Sequence, residues 1–225
     1  MEIDVFFRTA VSVDVVVLTY RNDQLQVLLS NKMVAPFEGF KGLPGKLVYP
    51  NIDTDQSVNS LLSGITGQKD LYVRQLRAFT DIGRHPMGRV ITIAYYCLVS
   101  SDLFEPAQDY EWCSVEEVPN LGFDHNKILQ VGLNTFQKGL RRKPIAFEVL
   151  PSKFTLVQLM EVYQLGLKRE LDPRNFRRKV LASDLLEDLN EKQQIPGKLG
   201  KPARLYRFDK KRFRDKAERS IGYFF

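Results

Sequence analysis

The sequence has little of what a disulfide scaffold, a metal site or a membrane protein needs. It holds only two cysteines, Cys97 and Cys113, and two histidines. These are too few for a disulfide framework or a four-ligand zinc site. No stretch approaches the roughly 18 apolar residues of a membrane span. The N-terminal M-E-I-D-V-F-F also lacks the basic start of a secretory signal. These absences favour a reducing, cytoplasmic location and no membrane partner.

Charge is present, and it is unevenly distributed. The 225 residues carry a formal net charge of +6. Residues 1–142 hold 14 Lys and Arg against 16 Asp and Glu, whereas residues 143–225 hold 19 against 11. A near-neutral first part joined to a basic second part suggests a polyanionic partner for the second part. A basic, solvated surface without a partner would produce the same imbalance.

The hydrophobic pattern predicts two domains, with a break near Pro144. The length fits one domain of about 150 residues and a smaller one, and we place their boundary between residues 142 and 143. In the first domain, strands are predicted at residues 11–20, 25–29, 47–49, 72–79, 90–99 and 110–114. Helical spacing is found at residues 57–65 and 126–140. This mixture predicts an α+β domain, a mixed sheet with helices packed on it.

One loop and helix of the first domain resemble a Nudix box. The order of a strand, an L-P-G loop, a short strand, a helix and a T-G pair is that of a Nudix domain. When Gly67 is aligned with the last glycine of the box, Lys46 stands at the first glycine and Leu62 keeps the aliphatic position. The other box positions have lost their chemistry, because Ile52 replaces the first glutamate. The Arg-Glu and Glu-Glu pairs are replaced by Ser60, Leu61, Gly64 and Ile65.

These replacements remove the metal ligands of a Nudix hydrolase. Such enzymes hold Mg²⁺ with carboxylates one turn apart on a helix, because Mg²⁺ takes oxygen ligands in octahedral geometry. The nearby acids Asp53, Asp55 and Asp70 are expected to flank the helix rather than to share its face. We therefore predict no catalytic residue, no metal and no cofactor. The alternative is a divergent hydrolase that acts on a nucleoside-diphosphate compound through other acids.

Two further stretches resemble Nudix-related transcriptional regulators. The stretch F-T-D-I-G-R-H-P-M-G-R-V-I-T-I-A-Y-Y-C-L-V, from Phe79, is similar to a segment of this family, although His85 and Met87 replace its Asp and Arg. The segment L-G-F-D-H-N-K-I-L resembles the family's L-A-F-D-H. Members include ADP-ribose-sensing repressors of NAD metabolism and arabinose-responsive regulators. The resemblance implies an effector-binding domain, with the candidate ligand-binding residues Phe79, Asp81, Arg84, Arg89 and Tyr95.

Four of these five candidates also have a purely structural interpretation. The two aromatic residues would fit a core, and the two arginines would fit a solvated surface. Two arginines in a Gly- and Pro-rich loop before an apolar strand also suit contact with an anion or a polar ligand. We interpret Asp124 and His125 as a helix N-cap and a structural histidine rather than as a catalytic pair.

The second domain has the pattern of a winged helix-turn-helix. Thr155 and Gln158 form a capping box before an apolar stripe, and Asp172 with Pro173 marks the start of a second, basic helix. Predicted strands at residues 185–189 and 203–208 flank the basic loop 195–202. A basic helix followed by such a hairpin is the arrangement of a wing. The bland alternative is a solvated basic helix with an ordinary loop.

This arrangement suits double-stranded DNA. In the major groove Arg can bond guanine and Asn can bond adenine, while Lys and Arg of a wing neutralise phosphates. R-N-F-R-R-K and G-K-P-A-R-L-Y-R-F are also similar to the regulators' C-terminal domain. The candidate DNA-binding residues are Arg174, Asn175, Arg177, Arg178 and Lys179 on the helix, with Lys198, Lys201 and Arg204 in the wing.

The sequence as a whole predicts a ligand-responsive, DNA-binding regulator, a repressor with a catalytically inactive Nudix-like effector domain. The resemblance implies a homodimer on a two-fold related operator and control of sugar or NAD-related metabolism. Because the metal-binding glutamates are absent, a sugar or another polar metabolite is favoured over an ADP-ribose-like nucleotide as the effector. A nucleic-acid-binding module without an effector is disfavoured, since the interleaved aromatics of single-strand binders are lacking.

Overall fold

The computed structural model describes residues 8–33, 35–194 and 201–217, and in them the chain forms two compact units. The first unit runs to Thr19 and includes Gln26–Val99 and Leu103–Thr135. The second takes in Tyr20–Leu25, Ser100–Asp102 and the chain from Phe136 onwards. The boundary between residues 142 and 143 stays a prediction. No helix in the described ranges is long and apolar enough to cross a bilayer.

The first unit is built around a central hairpin. Strand β1 (Ala10–Arg21) and strand β2 (Gln24–Ser30) are joined by Asn22 and Asp23, whose φ angles are 52° and 59°. Two positive φ angles at a two-residue connection match the right-handed twist of the flanking strands, and Asn and Asp tolerate that conformation. The β-branched run in β1 is almost fully buried, as the sequence predicts for a central strand.

Four more strands complete the sheet of the first unit. They are β3 (Gly45–Leu47), β4 (Tyr72–Phe79), β5 (Val90–Leu98) and β6 (Tyr110–Ser114). The order is β4-β5-β1-β2-β6, and β3 pairs with β1. Strands β1 and β5 are parallel, while β4 is antiparallel to β5 and β6 to β2. The sheet is therefore mixed, as predicted.

Two helices accompany this sheet. Helix α1 (Thr54–Thr66) begins at the N-cap Asp53, whose side chain accepts from the Gln56 N–H at 2.7 Å, and ends at Gly67 with a φ of 70°. The apolar positions Val58 and Leu62 of α1 pack into the buried core of the sheet. Helix α2 spans His125–Leu140. The aliphatic position that the Nudix box retains is thus a core contact.

The second unit has the elements of a winged helix. A 3₁₀ turn (Ile145–Glu148) is followed by β7 (Phe154–Thr155), α3 (Leu156–Leu167), α4 (Pro173–Ala182), β8 (Leu186–Gln193), β9 (Ala203–Phe208) and α5 (Lys210–Ala217). The three strands form a sheet in the order β7-β9-β8. The predicted capping box is present, since Thr155 and Gln158 bond reciprocally. The short β7 and helix α5 were not predicted, because neither has a distinct period.

Candidate effector cavity and nucleic-acid interface

The first unit contains a cavity of about 520 Å³ beside the start of α2. Its walls come from the β4–β5 loop, the loop after β2 and the first turn of α2. A volume of this size is within the roughly 300–1,000 Å³ of small-molecule pockets. The lining residues are Phe37, Asp81, Gly83, Arg84, Pro86, Phe123, Asp124, Asn126 and Lys127.

A buried ion cluster forms one wall of the cavity. The guanidinium of Arg84 donates to both carboxylate oxygens of Asp124, at 2.6 and 3.1 Å, and one of its nitrogens lies 3.8 Å from Asp14 of β1. The Arg84 side chain is only 4% exposed, so these bonds are made largely out of water. A forked guanidinium matches a carboxylate in two parallel bonds. The cluster therefore fixes the β4–β5 loop to both β1 and α2.

His125 completes the cluster as a neutral side chain. Its Nδ1 accepts from the Leu43 N–H at 2.9 Å, which assigns the ring proton to Nε2, 3.6 Å from Asp14. Burial lowers the pKa of His125, because the charged imidazolium is poorly solvated there. The structural role predicted for His125 agrees with these contacts. Asp124 directly precedes α2 and its backbone carbonyl accepts from the Ile128 N–H at 3.3 Å, as expected of an N-cap position, while its carboxylate oxygens accept from Arg84.

Aromatic rings also line the cavity. The rings of Phe37 and Phe123 lie 4.5 Å apart, and His85 stacks on Phe123 at 4.9 Å. Phe123 has a φ of 56°, a conformation that few non-glycine residues adopt. His85, one of the two departures from the regulator motif, thus contacts a residue of the cavity wall. The cavity combines apolar faces with a few converging polar groups, as ligand sites do.

Two of the five predicted ligand-binding residues, Asp81 and Arg84, line this cavity. Asp81 is exposed and lies 3.2 Å from Lys127. The assignment of all five residues to the effector site stays a prediction.

The other three predicted residues lie elsewhere in the unit. Phe79 is buried at the end of β4, and Arg77 stacks over its ring. Arg89 donates to the Thr80 carbonyl at 2.6 Å. The Tyr95 ring is in the core, and its hydroxyl donates to Asp55 at 2.6 Å.

The helix of the degenerate box has its acids in structural roles. Asp53 caps α1, and Asp55 lies inside the first turn of the helix rather than before it, because α1 starts earlier than predicted. Burial and the bond to Asp55 raise the pKa of Tyr95 and keep its hydroxyl a donor. In the part of the chain that the structure describes, no group of three or more His, Cys, Asp or Glu side chains could hold a metal ion.

Helix α4 presents the predicted basic surface of the second unit. The N-cap of the helix is Asp172, whose carboxylate accepts from the Asn175 N–H at 2.7 Å. The first residue of the helix is Pro173. Phe176 and Val180 are buried and turn one face of α4 inwards. The five predicted DNA-binding residues of the helix are all exposed: Arg174, Asn175, Arg177, Arg178 and Lys179.

The predicted wing is described only in part. Lys198 lies in residues 195–200, outside the described residues, while Lys201 is exposed two residues before β9. Arg204 on β9 donates to Asp188 of β8 at 2.8 Å. These assignments stay predictions.

Comparison with known proteins identifies the second unit. The model of the NrtR DNA-binding winged helix domain matches residues 146–208. The chain is 28% identical over 207 residues to the ADPR responsive transcriptional repressor NtrR of Acinetobacter baylyi, covering 88% of this chain and 81% of the relative. Over most of its length the chain is similar to Nudix-related transcriptional regulators, and its second unit has an NrtR-type DNA-binding winged helix. The predicted kind of regulator, with an NrtR-type DNA-binding domain, is confirmed.

Solved structures of such regulators share the fold. The crystal structure of Shewanella oneidensis NrtR complexed with a 27mer DNA has a TM-score of 0.76 and 28% identity, over 88% of this chain and 93% of that chain. The NUDIX domain of the same protein complexed with ADP ribose has a TM-score of 0.51 and 28% identity, over 60% of this chain and 93% of that chain. The predicted Nudix-like sheet followed by a winged helix is confirmed.

Proposed function

We propose that the regulator is a ligand-responsive repressor that binds a double-stranded operator through α4 and the wing. The observation that carries this proposal is the exposed basic face of α4, which begins at a side-chain cap and is held inwards by Phe176 and Val180. A helix end fixed in this way can enter a major groove as a rigid element. The operator contacts are assigned to the predicted residues of α4, and to Lys198, Lys201 and Arg204.

The cavity of the first unit is the proposed effector site. Ligand control requires that the effector bind the DNA-bound and DNA-free forms with unequal affinity, since equal binding would shift nothing. The ion cluster offers a physical basis for this difference in affinity. A ligand that forms a hydrogen bond with Arg84 or Asp124 changes the bonds that fix the β4–β5 loop. A homodimer on a two-fold operator and a cytoplasmic location, where that operator lies, belong to the same proposal.

Charge balance in the cavity supports a neutral, hydroxyl-rich effector such as a sugar. Asp81 lies beside Lys127, and Asp124 is bonded to Arg84, so the cations of the cavity already face carboxylates. A diphosphate would bring further negative charge and need cations of its own. Sugar hydroxyls donate to carboxylates and accept from Asn126 and Lys127, and the Phe37 and Phe123 rings suit the apolar face of a sugar.

An ADP-ribose-like nucleotide is the second candidate effector. The volume of about 520 Å³ exceeds what a single pentose fills, and paired phenylalanine rings suit a purine as well as a sugar. The names of the Acinetobacter and Shewanella relatives associate those proteins with ADP-ribose. The regulated pathway is accordingly sugar or NAD-related metabolism.

Thermal unfolding of the full chain with single compounds separates the two candidates. We expect D-ribose, L-arabinose or D-xylose at millimolar concentration to raise the melting temperature, and to weaken binding to an operator duplex. Lys127→Ala, at the cavity, should remove both effects. Lys138→Ala, an exposed lysine on the same helix, should keep them. Stabilisation by ADP-ribose alone would replace the sugar with the nucleotide as the effector.

The proposal also states that the Nudix-like domain does not hydrolyse its ligand. Asp53 and Asp55 are engaged by a helix N-terminus and by Tyr95, and the helix positions of the box are Leu61, Gly64 and Ile65. We expect no turnover of ADP-ribose or nucleoside diphosphates with Mg²⁺ or Mn²⁺. Turnover that an Asp55→Asn change abolished would establish the divergent hydrolase instead.

A further inference from the structure

The buried side of α4 determines which residue faces the centre of the groove. Phe176 is 2% exposed and Val180 is 1% exposed, so these two side chains define the inward direction. Successive residues of an α-helix are rotated by about 100°. Arg178 therefore lies about 180° from the middle of the Phe176–Val180 pair. Arg177 and Lys179 lie about 80° to either side of that inward direction, toward the two walls of a groove.

Arg178 is also held in place by a neighbour on the same helix. The side-chain oxygen Oδ1 of Asn175 accepts from Nη2 of Arg178 at 2.7 Å. Asn175 is itself fixed, because its backbone N–H donates to the carboxylate of the N-cap Asp172 at 2.7 Å. A guanidinium carries five N–H donors, so one bond to Asn175 leaves Arg178 able to make two more.

We propose that Arg178 reads a guanine through its O6 and N7 atoms, and that Asn175 positions Arg178 instead of reading an adenine itself. A long side chain loses rotamer freedom when it binds, and ordering it beforehand reduces that cost. An adenine contact would need both the Oδ1 and the Nδ2 of Asn175, and Oδ1 would then have to accept from adenine and from Arg178 at the same time. The inference rests on the proposed binding of double-stranded DNA by α4.

A double-mutant cycle tests this coupling. The probe is the duplex that the full-length wild-type chain enriches from a random library. Arg178→Ala should weaken binding about 5- to 150-fold and remove selectivity at one G·C pair. Asn175→Ala should weaken binding less than Arg178→Ala does, and should reduce selectivity at the same base pair. Adding Asn175→Ala to Arg178→Ala should have no further effect, because the positioning residue then has nothing to position.

A conservative variant and a base analogue separate positioning from direct reading. Asn175→Asp keeps an oxygen at Oδ1 and lacks the N–H donors that adenine requires. The added negative charge of Asn175→Asp repels every duplex alike. The readout is therefore the ratio of the affinity for the duplex with the sensitive G·C pair to the affinity for a duplex in which that pair is replaced. This ratio should be the same for Asn175→Asp as for wild type. With 7-deazaguanine at the sensitive position, wild type should lose the guanine preference, as Arg178→Ala does. Arg177→Ala, a side-facing control, should retain the preference.

Two results would overturn the inference. Equal losses from Asn175→Ala in the wild-type and Arg178→Ala backgrounds would show that Asn175 acts independently. Relaxed selectivity at an A·T pair in Asn175→Asp would show that Asn175 reads adenine. Either result would leave the proposed DNA binding intact. Enrichment of no duplex by wild type would overturn the proposed operator binding and this inference together.

Discussion

Arginine has opposite surroundings in the two units of this regulator. Arg84 is 8% exposed and lies between the carboxylates of Asp124 and Asp14. On α4, Arg174, Arg177 and Arg178 are exposed to solvent. A buried guanidinium must be compensated by the protein itself and so acts as a structural connection. A solvated one remains available to a phosphate or a base.

The largest effect is expected from removing the buried arginine. Arg84→Ala leaves two carboxylates buried without their cation, which typically costs about 3–5 kcal/mol of unfolding free energy. Urea unfolding followed by the fluorescence of Trp112, the single tryptophan, measures this loss.

Arg89→Ala is the matched control for this change. Arg89 belongs to the same loop, and its guanidinium donates to the Thr80 carbonyl instead of a buried carboxylate. Its removal should cost at most about 1 kcal/mol. Equal urea midpoints for the Arg84 and Arg89 variants would contradict the structural role of the buried cluster, and with it the contrast between the two units.

An intermediate effect is expected from an exposed arginine of α4. Arg177→Ala should leave the folding stability unchanged and reduce the magnitude of the slope of log K against log salt by about 0.9, the share of one phosphate contact. Lys198→Ala should likewise flatten the slope. Fluorescence anisotropy with a labelled duplex at several salt concentrations gives this slope.

The control is Lys138→Ala, which removes one positive charge from α2 instead of α4. A slope change as large in Lys138→Ala would mean that net charge, not α4, determines the affinity.

The smallest effect concerns pH. Burial lowers the pKa of His125 in the folded protein, whereas in the unfolded chain it is about 6.5. Below that pH the unfolded chain binds a proton that the folded chain resists, so stability falls as the pH falls below about 6.5 toward the lowered pKa. Urea midpoints between pH 8 and pH 5.5 should show this decline.

Two variants assign the pH effect to its source. His125→Gln, which keeps an acceptor for the Leu43 N–H, should show a weaker decline than wild type. His85→Gln should keep the full decline, because His85 stacks on Phe123 outside the ion cluster. Identical pH profiles for wild type and His125→Gln would show that His125 is not the source of the loss of stability at low pH.

Short sequence patterns predict most of the helices and strands. The capped starts of α3 and α4 and the alternating strands have signals in short stretches, and the structure has these elements within a few residues of the predicted bounds. Helix α1 starts earlier than predicted because Asp53 caps it through the Gln56 N–H. The assignment of Tyr20–Leu25 to the second unit has no local signal, since it depends on tertiary contacts.

The candidate site was harder to predict than the fold. Arg84 was named as a ligand-contact residue, but its burial between two carboxylates depends on β1 and α2, which are distant in sequence. Phe37 stands in a loop with no period, and no pattern marks it as part of a cavity. The segment that contains Phe123 and Lys127 was recognised by its resemblance to the regulators, yet it was interpreted only as a helix start. Cavities arise from long-range packing, whereas motifs report single segments.

The parallel pairing of β1 with β5 has a consequence for how the chain folds. Ala10 pairs with Val90 and Ser12 with Thr92, so the paired residues are 80 positions apart. Bringing such distant segments together slows folding, because loop entropy is lost before the contacts form. The winged helix is held by neighbouring segments, such as β8 with β9. In refolding, the winged helix should therefore form before Asp14 meets Arg84, and the cavity beside α2 should be the last part of the chain to mature.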